Sequence, residues 1–344
     1  MAMPPLTRMR NETLPIRLGT TTAEPVITIG GDSAPIDELL ALNEGVLEDV
    51  YPTRAGESAP ARTLSWDKRS PAVCKSKTAR PRVAIPVFPG TNCEYDTARA
   101  FERAGAVADT LVVKNLTPAG IEETIQRMEA SIRNAQIVML PGGFSGGDEP
   151  DGSGKFIATT LRNPRLAEAI NDLLQNRDGL MLGICNGFQA LIKLGLVPYG
   201  EIRPLAEDAP TLTFNTLGRH ISRMVYTRIS SVKSPWLAGC EAGDVHCIPV
   251  SHGEGRFVAN AAVMQQLVEN GQIATQYVTP DGVPVPETTW NPNGSVCAVE
   301  GITSPDGRVF GKMGHSERCG DDLLRNVPGN KDQKLFESGV RYFR

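Results

Sequence analysis

The sequence predicts an α/β fold: a doubly wound, mostly parallel sheet flanked by helices, with an added β-rich segment. Two observations carry this reading. Apolar runs of strand length alternate with segments whose apolar residues recur at helical spacing, from Arg82 to Leu194. After Thr211 that alternation gives way to short β-segments.

Val83-Ala84-Ile85-Pro86-Val87-Phe88, closed by Pro89-Gly90, reads as a buried strand. Asp96 to Ala104 reads as a helix stopped by Gly105, and Val107 to Val113 as a second strand. Thr117 to Asn134 is a helix with Pro118 in its first turn and Ile121, Ile125 and Met128 on one face. Gln136 to Leu140 is a strand ending at Pro141-Gly142-Gly143. Phe156 to Gln175 is helical, Gly179 to Ile184 is a strand, and Asn186 to Leu194 is a helix. Thr211 to Ala259 reads as short alternating β-segments, with further strands at Gln272 to Val278 and Val309 to Met313. Ligands of such sheets bind beyond the carboxyl ends of the strands.

Residues 1–81 differ in character. Met1 to Gly30 is extended and turn-rich. A helix then carries Ile36, Leu39, Leu40, Asn43, Leu47 and Val50 on one face until Pro52 ends it. One amphipathic helix cannot bury its own apolar face, so this one is expected to dock on something. Residues 53–81, small, polar and charged around Trp66, read as a linker. The expected organisation is an arm over 1–52, a linker over 53–81 and an α/β domain over 82–344.

The 344 residues hold 35 Lys+Arg against 39 Asp+Glu, a net charge of −4 that argues against nucleic acid or an anionic membrane as the main partner. No apolar stretch approaches the roughly 18 residues that span a bilayer. Met1 to Thr20 has arginines with no apolar block behind them, so no secretory leader is expected. The seven cysteines form no CxxC pair, which predicts reduced thiols in a cytoplasmic protein and no metal centre.

The sharpest local signal is Leu182-Gly183-Ile184-Cys185-Asn186-Gly187-Phe188-Gln189. An apolar strand runs into a tight turn and straight into a helix, which is a nucleophile elbow with cysteine in place of serine. The following helix N-terminus favours thiolate. The backbone N–H of Asn186 is a candidate oxyanion donor. The same string also suits a buried cysteine ending a core strand. A cysteine nucleophile needs a base and an orienting acid. His315 and Glu317, following an apolar strand, offer both, although His-x-Glu pairs also arise by chance. Gly142, Gly143, Phe144 and Ser145 form a glycine turn at another strand end, either oxyanion donors or a plain turn. In Ser251-His252-Gly253-Glu254-Gly255, His252 is a second candidate base or a solvated turn residue.

Taken together, these strings resemble the class I (triad) glutamine amidotransferases, and within them the branch that serves as the glutaminase part of phosphoribosylformylglycinamidine synthase. The carrying motifs are Val87-Phe88-Pro89-Gly90-Thr91-Asn92-Cys93, Pro141-Gly142-Gly143-Phe144-Ser145, Gly183-Ile184-Cys185-Asn186-Gly187-Phe188-Gln189, Ser251-His252-Gly253-Glu254-Gly255, Asn293-Gly294-Ser295 and His315-Ser316-Glu317-Arg318, in order between Arg82 and Arg344. The resemblance implies a flavodoxin-like α/β fold and hydrolysis of L-glutamine to glutamate and ammonia. It implies Cys185 as nucleophile, His315 as general base and acid, and Glu317 as its orienting partner. It implies Gly143 and Asn186 as oxyanion donors, and Gly142, Phe144, Gln189, Ser251 and Gly253 as the glutamine pocket. No cofactor is implied on this chain; ATP and magnesium are implied on a synthetase partner that uses the ammonia to make formylglycinamidine ribonucleotide in purine biosynthesis. Cys93, in the first motif, reads as loop packing.

Leu18-Gly19-Thr20-Thr21-Thr22 and Glu44 to Thr53 resemble the last stretch of the synthetase part of the fused form of that enzyme, which makes residues 1–52 a remnant of a synthetase domain. The family usually has prolines on both sides of the base, where this chain has Gly314 and Ser316, and it often has tyrosine at Gly146. Loss of both prolines is expected to loosen the His–Glu geometry. Two other readings compete: a non-catalytic subunit that only binds the synthetase, and a cysteine hydrolase or redox sensor on the same kind of elbow.

Overall fold

The computed structural model describes residues 18–50, 52, 55, 60–147, 153–320 and 323–344. The first seventeen residues of the expected arm, Tyr51 and Thr53 of its second motif, and most of residues 53–59 lie outside the described residues.

The chain divides into two compact units, residues 1–54 and 55–344. The first contains a hairpin, β1 (Val26–Ile29) and β2 (Asp32–Pro35), turned at Gly30-Gly31 with Gly30 at φ 65°. Helix α1 (Ile36–Gly45) follows. The helix read as far as Pro52 stops at Gly45, a residue that costs about 1 kcal/mol inside a helix, and turns occupy the next stretch. None of its residues is buried, and Leu39, Leu40 and Leu42 are exposed.

The second unit runs β3 (Arg82–Val87), α2 (Glu94–Arg103), β4 (Val107–Val112), α3 (Pro118–Asn134), β5 (Ile137–Leu140), α4 (Lys155–Leu161), α5 (Pro164–Gln175), β6 (Leu180–Ile184), α6 (Asn186–Leu194) and α7 (Leu196–Tyr199). It continues with β7 (Thr211–Thr213), β8 (Ile221–Ile229), β9 (Val245–His252), β10 (Arg256–Val258), α8 (Ala261–Glu269), β11 (Ile273–Val278), β12 (Val299–Thr303), β13 (Val309–Lys312) and α9 (Leu335–Arg341). Nine strands form one sheet in the order β4-β3-β5-β6-β13-β12-β11-β8-β9. From β4 to β13 neighbours are parallel; from β13 to β9 they are antiparallel. This is the mixed, mostly parallel sheet flanked by helices that the alternation predicts, with the β-rich segment added as an antiparallel wing. Strands β7 and β10 pair separately.

Three differences from the sequence reading have physical causes. The helix expected over Phe156–Gln175 is two helices, because Pro164 has no N–H for a continuous ladder and the Asn163 side chain caps the second by accepting from the Arg165 amide at 3.0 Å. Strand β12 went unread because Glu300 and Gly301 interrupt its apolar run. Residues 64–81, read as part of a linker, are hydrogen-bonded along their length to the rest of the second unit. The Leu64 amide donates to Gln276 Oε1 at 3.0 Å, the Trp66 amide to the Ser230 carbonyl at 2.8 Å, and the Thr78 amide to the Phe343 carbonyl at 2.8 Å. Gly271, at φ 62°, makes room for the indole: a Cβ there would lie 2.3 Å from the Trp66 ring.

The antiparallel wing curls. Strand β9 lies five places from β6 in the sheet, yet the His315 amide donates to the Pro249 carbonyl of β9 at 2.9 Å. Val225, Ile248, Val250, Tyr277 and Ala298 fill the bend as a small core of their own. The curl brings the end of β9 over the carboxyl ends of β5, β6 and β13.

Helix α6 starts against the end of β5. A Cβ on Gly187 would sit 1.9 Å from the Leu140 carbonyl oxygen, so backbone would have to move. Gly187→Ala is expected to cost about 3 kcal/mol, the upper range for overpacking, read from the urea midpoint at constant slope. Among the described residues no helix is long and apolar enough to cross a membrane.

Candidate active site

Cys185 occupies the turn between β6 and α6 with φ 52° and ψ −108°, a conformation that non-glycine residues hold only where their surroundings enforce it. The enforcement is visible. Its amide donates to the Lys312 carbonyl at 2.8 Å, and Gly183 and Gly187 pack with no space for side chains. The thiol is buried, with the Ser251 carbonyl 3.7 Å away.

His315 follows β13, the strand paired in parallel with β6, so register alone carries its loop to the elbow. Its Nδ1 lies 2.6 Å from Glu317 Oε1, and both side chains are buried. The carboxylate accepts from Nδ1–H, which fixes the ring and leaves Nε2 as the nitrogen that Glu317 does not engage. Nε2 is buried with no hydrogen-bond partner among the described residues.

The electrostatics favour an ion pair. Burial pushes the Cys185 thiol up, but the charge of His315, with His252 nearby, brings it down to about 6. Burial pulls the His315 imidazole down, but the Glu317 carboxylate and the Cys185 sulfur hold it well above its ordinary value. Burial raises Glu317, but the facing His315, a backbone hydrogen bond and Arg318 together hold it below its ordinary value. At neutral pH the site therefore holds thiolate and imidazolium. Alkylation of Cys185 by iodoacetamide should accordingly titrate with a midpoint near pH 6, the rate rising as pH increases through it. A midpoint above pH 8, where unperturbed thiols titrate, would refute the ion pair.

The glycine turn closes one side. Gly143 sits at φ 146°, and a Cβ there would meet the Gly90 carbonyl oxygen at 2.5 Å. The Ser145 amide donates to Asn186 Oδ1 at 3.2 Å, tying this turn to the start of α6. Phe144 lies on the outer rim, half-exposed, its ring 5.9 Å from that of His220. Ser251 Oγ lies 3.0 Å from His220 Nε2, and the Gly253 carbonyl accepts from the Asn215 amide at 2.9 Å. Gln189 is buried; its Nε2 donates to the Glu254 carbonyl at 2.7 Å and its Oε1 accepts from Asn186 Nδ2 at 3.0 Å. Its amide thus braces the Ser251–Gly255 turn against α6.

Two residues stand closer to the chemistry than the sequence indicates. His252 is buried, not solvated; its Nε2 faces Asn293 Oδ1 at 2.9 Å, while Nδ1 has no partner among the described residues. Cys93 is buried beside His315, its Sγ 3.8 Å from Nδ1 and 3.1 Å from Arg318 Nη2. Cys93, His315 and Glu317 bring their ligand-type atoms within 4.8 Å of one another, a juxtaposition that residues so far apart in sequence do not announce. The adjacent guanidinium disfavours a cation there. Unpartnered buried atoms on His315, His252 and Ser145 mark a place where an outside molecule can supply the missing hydrogen bonds.

Residues 80–343 match the family model described as the CobB/CobQ-like glutamine amidotransferase domain. The chain belongs to this family. Among similar curated proteins is the phosphoribosylformylglycinamidine synthase subunit PurQ of Aquifex aeolicus, 34% identical over 250 residues, covering 72% of this chain and 95% of that one. The PurQ subunit of Symbiobacterium thermophilum is 35% identical over 264 residues, covering 76% of this chain and 96% of its own. A chain from the structure of PurLQS of Thermotoga maritima superposes with a TM-score of 0.55 at 26% identity, covering 77% of this chain and all of that one. The amidotransferase family region begins two residues before β3 and includes every site residue named above.

Proposed function

We propose that this amidotransferase hydrolyses L-glutamine and passes the ammonia to a synthetase, as the glutaminase subunit of phosphoribosylformylglycinamidine synthase. The observation that carries the reading is the buried Cys185–His315–Glu317 arrangement, with 2.6 Å between imidazole and carboxylate, in a chain about a third identical to PurQ subunits.

In this reading the Cys185 thiolate attacks the side-chain carbonyl carbon of glutamine. The backbone N–H groups of Gly143 and Asn186 receive the developing oxyanion. His315 gives its Nε2 proton to the departing nitrogen, and ammonia leaves a glutamyl thioester. Water, deprotonated by His315, then attacks the thioester; glutamate and the thiolate–imidazolium pair are restored. Gly142, Phe144, Ser251 and Gly253 line the approach for glutamine, while Gln189 shapes it from behind. ATP and magnesium belong to the synthetase's half of the reaction.

Residues 1–52 fit the remnant of a synthetase end. The synthetase-like strings Leu18–Thr22 and Glu44–Thr53 support this, and residues 53–81 then connect the remnant to the amidotransferase. The deciding experiment is release of glutamate from glutamine by the purified chain, alone and with its matching synthetase. Turnover in either case supports the reading; no glutamate from the complete complex would end it.

A further inference from the structure

Directly behind the base lies a charged pair that the mechanism above does not use. Lys312 and Glu300 have fully buried side chains, with Nζ 3.3 Å from Oε1. Replacing such a pair with apolar side chains is often neutral or stabilising, so stability alone is a poor reason for it. Its hydrogen bonds supply a better one. Lys312 Nζ also donates to the Gly314 carbonyl at 2.8 Å and to Ser316 Oγ at 2.9 Å. Glu300 Oε1 accepts from the Gly314 amide at 2.6 Å, and its Oε2 accepts from Thr275 Oγ1. Ser316 Oγ donates to Gln333 Oε1, whose amide donates to Thr227 Oγ1 at 3.1 Å.

Both neighbours of His315 are therefore pinned, Gly314 through its N–H and its C=O, Ser316 through its hydroxyl. The same lysine's backbone carbonyl holds the Cys185 amide at 2.8 Å, so one residue grips both the base's loop and the nucleophile's turn. Neither contact could be made by proline: at 314 it would lack the N–H that Glu300 binds, and at 316 it would lack the hydroxyl. The space at 314 is closed as well, since a Cβ there would lie 2.2 Å from Ile248 Cδ1. Without the prolines, His315 and Glu317 still stand 2.6 Å apart.

We propose that the buried Lys312–Glu300 pair, extended through Ser316 to Gln333, is a positioning device that holds His315 in line with Cys185, doing by hydrogen bonds what ring rigidity does elsewhere. The inference rests on the triad reading given above.

The test replaces both charges together, Lys312→Met with Glu300→Gln, so that neither is left buried alone. A second variant, Ser316→Ala, removes one contact and leaves the pair in place. The double variant should keep a cooperative thermal transition and a KM for glutamine within about twofold, while kcat falls about 100-fold, the scale of an ångström-sized misplacement. Ser316→Ala should lower kcat about fivefold by the same route. In both, the pH midpoint for Cys185 alkylation should rise from about 6, because a displaced imidazolium stabilises the thiolate less. A purely structural role would lower the thermal midpoint and leave the folded enzyme's kcat and alkylation midpoint unchanged; that result overturns the proposal. If the double variant does not fold, an unchanged kcat and midpoint in Ser316→Ala overturns it alone. Failure of the underlying reading looks different: Cys185→Ala would keep the glutaminase rate.

Discussion

Cys185→Ala should abolish glutamine hydrolysis, with a loss of at least about 10⁴-fold in kcat, the usual scale for removing a member of a nucleophile–base–acid triad. The expectation is large because Cys185 sits at the elbow and is coupled to the His315 charge, while Cys93 lies on the Glu317 side of the ring, 3.8 Å from Nδ1. Mass spectrometry should find a glutamyl adduct on Cys185 after rapid quenching of the native protein with glutamine, and none in the variant. The substitution deletes one buried sulfur, so the fold and any complex with the synthetase should survive. Full activity in Cys185→Ala, or an adduct on Cys93 instead, would reject the mechanism. A folded native protein that binds the synthetase yet never forms an adduct would favour the non-catalytic reading.

Gly142→Ala carries the second large effect. The added Cβ would stand 2.7 Å from His315 Cε1, 3.1 Å from Cys93 Sγ and 3.4 Å from Cys185 Cβ. The nearest of the three is the proposed base and another is the proposed nucleophile, so relief at either shifts the imidazole relative to the thiol. A displacement of about 1 Å costs about 100-fold in rate. Kcat for glutamine hydrolysis should fall by about that factor, with near-native circular dichroism and a thermal midpoint lowered by a few degrees at most. The contrast with Gly187 is instructive. There the obstruction is backbone, and stability bears the cost; at Gly142 it is the site's own side chains, and chemistry bears it. A Gly142→Ala protein with native kcat would show that the imidazole has slack that the close packing denies.

Much of this was legible from residue order. Strand–helix alternation gives the parallel half of the sheet, because strands buried on both faces read as unbroken apolar runs and helices show their period. The elbow and the His-x-Glu pair are local patterns, and parallel pairing of β6 with β13 brings them to one edge. What was not legible depends on the long way round. Nothing local at Cys93 signals that its sulfur ends 3.8 Å from a histidine 222 positions later. Strand β12 was hidden by Glu300, the residue whose carboxylate proves to hold the Gly314 amide. A charged residue in a buried strand weakens the local pattern because its reason for being there is non-local. The strap from Leu64 to Thr78 likewise reads as a linker, since its contacts lie in β8, β11 and the chain's far end.

The curl of the antiparallel wing gives the His315 loop two anchors. Parallel pairing of β6 with β13 carries the loop to the elbow, and the hydrogen bond from the His315 amide to the Pro249 carbonyl fastens it to β9. Contacts between segments so distant in the chain form slowly. Refolding is therefore expected to restore the alignment of His315 with Cys185 fully only after both long-range pairings have closed.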